Sequence, residues 1–368
     1  MKKIIIIAGA RPNFMKIAPI IHEIKKQKKK GSEIDYSLVH TGQHYDHNMS
    51  GSFFKELNIP SPDVNLMCGG GGQSEQTANI MVAFEKFLKE NSKPSLVLVV
   101  GDVNSTMACA IVAQKLNIKV AHVEAGIRSN DWSMPEEINR IVTDSISNYF
   151  FTTTIGASNQ LKANGVAEKN IHFVGNTMID TLLKNKPNFK KPQIWDKLNL
   201  KRGNYIVITL HRPANVDEQT ILKLSLEQII ENSEDIPLIF PMHPRTYGVF
   251  KKMNISNPRL HVLPPLSYLE FNYLVRYSKA VITDSGGITE ETTVLKVPCL
   301  TLRDNTERPE TINLGTNELV GTNPKSIAPV LNKLMNGNWK KGSIPELWDG
   351  KAAKRIVISL MEILNKTD

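Results

Sequence analysis

Ala280-Val281-Ile282-Thr283-Asp284-Ser285-Gly286-Gly287-Ile288-Thr289-Glu290-Glu291 is the stretch whose pattern the rest of the chain repeats. A short, largely β-branched run of strand length stops at Asp284. Ser285, Gly286 and Gly287 form a turn, and Glu290, Glu291 and Val294 follow at helical spacing, with both glutamates expected in the first turn. A strand feeding a glycine turn and a helix start makes an anion site, because free backbone N–H groups and the positive end of the helix dipole converge there. Glycine admits a diphosphate to the backbone where a side chain would hold it off. Glu290 and Glu291 are then placed to accept from ligand hydroxyls. Taken alone, the same residues also fit an ordinary strand-to-helix connection with a solvated acidic turn.

The same unit recurs along the chain. Apolar runs of strand length stand at Lys3–Ile7, Tyr36–His40, Leu96–Val100, Lys119–Val123, Tyr149–Thr152 and His172–Val174. After a change of composition they resume at Tyr205–Thr209, Pro237–Pro241, Leu260–Leu263, Ala280–Thr283 and Pro298–Leu302. Helical patterns separate them, among them Pro12–Lys25, Gln73–Lys89, Thr106–Leu116, Glu136–Ser145, Glu218–Glu231, Tyr268–Tyr277 and Gly287–Leu295. That alternation predicts an α/β fold of parallel, helix-covered sheets. We expect two doubly wound domains facing a central cleft, 1–175 and 176–351, with Lys184–Asn204 as a linker region. The last pattern, 352–368, puts Ala353, Ile356, Val357, Leu360, Met361 and Leu364 on one helical face, and is expected to pack back on the first domain. In such sheets ligands bind beyond the carboxyl ends of the strands.

A length of 368 residues suits two domains, and 41% hydrophobic with 22% charged residues is the balance of a soluble globular protein. No apolar run is long enough to span a bilayer, and no signal-peptide pattern opens the chain, so no membrane partner is expected. Cys68, Cys109 and Cys299 lack pairing or metal spacing, which fits a reducing, cytoplasmic setting. The net charge of +9 raises nucleic-acid binding. Much of the excess lies in Lys25–Lys30 and Lys184–Arg202 outside any nucleic-acid motif, so a basic cleft for a small phosphorylated ligand fits better. His40, His44 and His47 lie in a turn-like HTGQHYDH segment without a zinc-enzyme motif, and no metal is expected.

Candidate chemistry clusters after the strands. Arg11 and Lys16 follow the first strand near a helix start and suit anion recognition, although they also fit ordinary surface cations. No G-x-G-x-x-G follows that strand, which argues against a dinucleotide cofactor. Asp102 and Glu124 follow two further strands, and Glu136 opens a helix with Asn139 and Arg140 on its next turn. Three carboxylates at equivalent positions suit acid/base work, because nearby like charges push their pKa values apart. His211 and His243 follow strands of the second domain, within reach of a ligand phosphate, or as capped structural histidines.

Taken together, GARPNFMKIAP, HTGQHYD, GDVNST, HVEAGIRS, PEEINR, LHRPANVD, MHPRT, DSGGITEE and LRDNTERPE resemble, in that order, the non-hydrolysing UDP-N-acetylglucosamine 2-epimerases. The resemblance covers about residue 4 to about residue 315. It implies a GT-B fold of two Rossmann-like domains, UDP held mainly by the C-terminal one, a cytoplasmic homodimer, and interconversion of UDP-GlcNAc and UDP-ManNAc without NAD. It further implies C2 deprotonation, anti elimination of UDP to 2-acetamidoglucal, and re-addition after protonation on the opposite face. Carried over motif by motif, Asp102, Glu124, Glu136 and His211 match catalytic positions. Arg11, Lys16, His243, Ser285, Gly286, Gly287, Glu291 and Arg308 match nucleotide-sugar contacts. Glu291 would hold the ribose, the Ser-Gly-Gly turn the diphosphate, and Leu266 with Phe271 would border the uracil. Gln43 and His44 match an allosteric UDP-GlcNAc region. His211-Arg212-Pro213-Ala214-Asn215 departs from the more common His-Arg-Arg-Glu-Asn, and Cys68–Gly72 replaces a basic segment. A hydrolysing 2-epimerase, an epimerase of UDP-2,3-diacetamido-glucuronate, a GT-B glycosyltransferase and a non-catalytic nucleotide-sugar sensor are the alternatives.

Overall fold

Ile4–Ile7 form the middle of the first strand, β1 (Lys2–Ala8), and all four side chains are buried. A strand covered on both faces has no solvent side to alternate with, so an unbroken apolar run marks the interior of a parallel sheet. The computed structural model describes residues 2–42, 56–253 and 255–366, apart from the side chains of Arg11 and Arg245. The chain divides into two compact units, Met1–Lys184 with Glu346–Asp368, and Asn185–Pro345.

In the first unit seven parallel strands run in the order β3 (Val64–Asn65), β2 (Ile34–His40), β1, β4 (Leu96–Val100), β5 (Val120–Val123), β6 (Tyr149–Thr152) and β7 (Ile171–Phe173). The order reverses at β1, so the loops leaving β1 and β4 diverge to opposite faces and open a crevice at their carboxyl ends. The helix Ala352–Asn365 packs against the helix Arg11–Lys29 in this unit. Its first two N–H groups, at Ala352 and Ala353, donate to the Asp180 carboxylate at 3.0 and 2.7 Å. A tertiary carboxylate thus does the work of an N-cap side chain.

The second unit repeats the arrangement with six parallel strands: β10 (Leu260–Leu263), β9 (Leu238–Pro241), β8 (Ile206–Thr209), β11 (Ala280–Thr283), β12 (Cys299–Thr301) and β13 (Asn317–Leu319). Its switch point lies between β8 and β11, and its core is built from both sheet faces and the helices over them. The α/β class read from the sequence is therefore the one observed. The strands after the opening run of each unit agree with the sequence pattern to within a residue or two.

Three local readings change. The helix after β11 starts at Gly286 with Ser285 as N-cap, so Glu290 and Glu291 fall in its second turn and are buried. Residues 184–204 are more than a linker: Gln193–Lys197 is a helical turn, and Trp195 packs edge-on against Tyr205, Tyr273 and Tyr277. The edge strands β3 and β13 and the helices Ile155–Ala163, Thr177–Asn185, Pro244–Phe250 and Ile327–Met335 add elements that the sequence patterns left unassigned.

Candidate active site

At the crevice of the first unit, Asn13 bolts two loops together. Its side-chain oxygen accepts from the N–H groups of Gly9 and Ala10 at 3.0 Å each, and its amide donates to the Val100 carbonyl at 3.0 Å. Gly101 follows with φ +70°, a conformation that glycine adopts without penalty. A Cβ there would lie 3.1 Å from Lys16 Nζ and 3.5 Å from Glu124 Oε2. Lys16 and Glu124 form an ion pair with side chains 11% and 5% exposed, so the pair is compensated almost entirely from within. Glu124 itself has φ +72°, uncommon for a residue with a side chain, and its N–H is held by the Phe151 carbonyl at 2.9 Å. Backbone held in a sparsely populated region concentrates where function demands a fixed geometry.

Asp102 comes next in the chain. Arg140 donates to its Oδ2 from Nε (3.1 Å) and Nη2 (2.8 Å), and turns Nη1 to Glu137 Oε2 at 2.5 Å. Glu137 also accepts from Ser129 N, Ser129 Oγ and Asn130 N at 2.9, 3.0 and 3.1 Å. Burial would raise the Glu137 carboxyl, but those N–H donors and Arg140 hold it below its usual value. The Asp102 side chain is 27% exposed, against 4% for Arg140, so it is the solvent-facing end of the network. Glu136 is half-buried at the start of the same helix and makes no side-chain hydrogen bond or ion pair among the described residues. Its neighbour Glu137 has the structural role. The Arg11 side chain, Gln43 and His44 lie outside the described residues.

In the second unit, the buried Asp284 at the end of β11 organises the crevice. Its carboxylate accepts from His211 N (3.0 Å), Arg212 N (2.9 Å) and Asn215 Nδ2 (3.1 Å), and His211 Nδ1 lies 2.8 Å from Oδ1. Burial pushes this carboxyl up, but the hydrogen bond and charge of His211, with the Arg212 and Asn215 donors, bring it below its usual value. Donation from Nδ1 fixes the tautomer and leaves Nε2 of a half-exposed ring to face a ligand. The sequence reading ended the strand at Asp284 without giving that residue a role, and its part as partner to His211 was missed.

The Ser285–Gly287 turn is partly exposed and opens the helix Gly286–Leu295. A Cβ at Gly286 would fall 2.7 Å from Glu307 Oε1 and 3.7 Å from Arg303 Nη1. Arg303 pairs with Glu307 through Nη2 at 2.7 Å, while its buried Nη1 has no hydrogen-bond partner among the described residues. An uncommitted guanidinium donor beside free helix-start N–H groups is an arrangement for an anion. Arg303 was another residue missed, although it stands in the same Leu302–Glu310 motif as Arg308. Arg308 donates from Nε to Glu290 Oε1 at 2.5 Å, and Glu291 accepts from the Tyr268 hydroxyl at 2.8 Å. Leu266 and Phe271 are partly buried against the unit's core, and His243 is exposed beyond β9.

These arrangements can be set beside known proteins. The family model described as UDP-N-acetylglucosamine 2-epimerase matches residues 26–361. The UDP-N-acetylglucosamine 2-epimerase of Methanocaldococcus jannaschii is 44% identical over 96% of this chain and 98% of its own length. A UDP-2,3-diacetamido-2,3-dideoxy-D-glucuronate 2-epimerase of Pseudomonas aeruginosa is 41% identical over 87% of this chain and 88% of its own. The crystal structure of the M. jannaschii UDP-GlcNAc 2-epimerase with UDP-GlcNAc and UDP aligns with a TM-score of 0.86 at 43% identity, covering 98% of this chain and all of that one. Matched by that family model over residues 26–361 and 44% identical to a UDP-N-acetylglucosamine 2-epimerase along nearly its whole length, this chain belongs to the UDP-N-acetylglucosamine 2-epimerase family.

Proposed function

We propose that the chain interconverts UDP-GlcNAc and UDP-ManNAc reversibly, without hydrolysis. A carboxylate base takes the C2 proton, the electron pair becomes the C1–C2 double bond of 2-acetamidoglucal, and the C1–oxygen bond to UDP breaks on the opposite face. A proton then adds to C2 from the other side, and the UDP oxygen re-forms the bond to C1. The sequence is redox-neutral and returns both proton and UDP. Asp102, Glu124 and Glu136 supply the proton-transfer groups, and His211 stabilises the departing diphosphate. The observation that carries this reading is the pairing of two strand-end carboxylates, Asp102 and Glu124, each with its own cation. A carboxylate accepts a proton as the anion, and in each case a neighbouring cation compensates that charge.

In this reading the second unit holds the nucleotide. The Ser285–Gly287 turn binds the diphosphate, Glu291 the ribose, and Phe271 with Leu266 borders the uracil. Arg11, Lys16, His243 and Arg308 complete the contacts to the nucleotide sugar. A cytoplasmic homodimer is part of the same proposal. The similarity to a uronate epimerase favours a second substrate, UDP-2,3-diacetamido-glucuronate, to be compared side by side. The test is chromatography after incubation with UDP-GlcNAc. UDP-ManNAc as product supports the proposal; free ManNAc with UDP as main products assigns the hydrolysing reaction instead.

A further inference from the structure

Beneath the Asp102 turn lies a second polar chain, buried and with no contact to solvent at its centre. His122, in the middle of β5, is wholly buried. Its Nε2 lies 2.8 Å from the Gly101 carbonyl oxygen, and its Nδ1 lies 2.7 Å from Asp144 Oδ1. Asp144 is held in turn by Arg128 Nη1 at 2.6 Å and by Gly126 N at 3.1 Å. Burial would raise the Asp144 carboxyl, but His122 and Arg128 keep it below its usual value. A carbonyl oxygen only accepts, so the contact to Gly101 is a hydrogen bond donated by His122 Nε2.

We propose that His122 is a positioning residue that fixes the Asp102 turn through the Gly101 carbonyl. Three donors then immobilise the peptide on either side of Asp102 and its carboxylate. His122 holds the Gly101 carbonyl, Asn139 Nδ2 holds the Asp102 carbonyl at 2.8 Å, and Arg140 holds the side chain. Gly101 has a left-handed φ, and glycine's own sterics restrain its backbone little, so an external donor to its carbonyl adds a constraint the residue lacks. The same network reaches the second carboxylate loop, because Asp144 accepts from Gly126, two residues after Glu124. Arg140 and Asp144 are one turn apart on the helix Pro135–Ile146, so one helix face sets both the charge partner of Asp102 and the clamp on His122. The inference rests on Asp102 acting in catalysis. Its geometric half does not.

The experiment has two arms on the full-length protein. In ¹⁵N-histidine NMR of the wild type, the His122 signals, assigned by their loss in His122→Gln, are expected to show a protonated Nε2. An unprotonated Nε2 would overturn the inference whatever the enzyme does. In kinetics, His122→Phe removes the donor to the Gly101 carbonyl, and kcat is expected to fall about 10- to 100-fold with UDP affinity unchanged, as for a misplaced reacting group. His122→Gln, whose amide can still donate to the Gly101 carbonyl, is expected to recover part of that loss. A folded Phe variant with wild-type kcat, or kcat and UDP affinity falling together in the Gln variant, contradicts the role. If the Phe variant does not fold, the Gln variant and the NMR arm decide. A wild type without epimerase activity sinks the functional reading alone, since the NMR arm still reports on the clamp.

Discussion

His211 Nδ1 lies 2.8 Å from Asp284 Oδ1, with the carboxylate fully buried and the imidazole half exposed. The exposed ring is therefore oriented from behind by a charge that cannot move. Asp284→Asn keeps the shape but removes the charge and puts an amide where the ring expects an acceptor. Turnover is expected to fall by about 10²-fold or more, the scale of lost acid–base or orienting groups. Steady-state kinetics with UDP-GlcNAc check this, and unchanged kcat would remove the dyad from the mechanism. The folded Asp284 carboxyl lies below its unfolded value, so its contribution to stability is present above the ordinary carboxylate range and is lost on acidification. Acid unfolding of Asp284→Asn should accordingly lack that component.

Asp102→Asn is expected to abolish C2 proton exchange and to leave UDP affinity nearly as it was, because Asp102 stands in the first unit and the proposed UDP contacts are mostly in the second. Isothermal titration with UDP beside an exchange assay separates the two effects. Full activity in the variant would take Asp102 off the list of acid/base groups.

Lys16 and Glu124 test the electrostatics of the crevice. Removing one partner of a buried ion pair strands the other, which costs about 3–5 kcal/mol. Lys16→Met should therefore lower the urea midpoint sharply, and Lys16→Met combined with Glu124→Leu should restore much of it without restoring activity. Additive losses in this double-mutant cycle would mean that the pair is not coupled.

Glu291 gives a pH signature. Burial, reinforced by Glu290 and opposed by hydrogen bonds from Tyr268 and Asn272, pushes its carboxyl up to about 7 from 4.5. The folded state thus holds this proton more tightly than the unfolded chain. The associated stability is fully present below pH 4.5 and is lost as pH rises to about 7. Melting curves of wild type and Glu291→Gln should diverge across that interval and run parallel above it. Parallel curves throughout would show that Glu291 does not titrate there. If its carboxylate accepts from the ribose, UDP affinity should rise through the same interval in the wild type and stay flat in the variant.

The repeating strands were legible because a strand buried on both faces has to be an apolar run, and the turns after them had to carry the polar groups. The short edge strands β3 and β13 were not, since two or three residues with a partner on one side carry little pattern. Trp195 was hidden in a polar segment whose helical turn is too short to show a period. Among the candidate site residues, the positions of Asp102, Glu124 and His211 just after a strand were readable from the sequence. Asp284 and His122 were not, because what distinguishes them is a partner 21 to 73 positions away in the chain, nor was Arg303, whose buried Nη1 lies beside a glycine turn 17 positions earlier; only the folded sheet brings these groups within reach.

Proton NMR of UDP-GlcNAc with the enzyme in deuterated water bears most directly on the central claim. Elimination and re-addition predict a UDP-ManNAc signal, deuterium at C2 in both sugars at equilibrium, and no build-up of free N-acetylmannosamine. Conversion with protium retained at C2, or free sugar as the accumulating product, would contradict it.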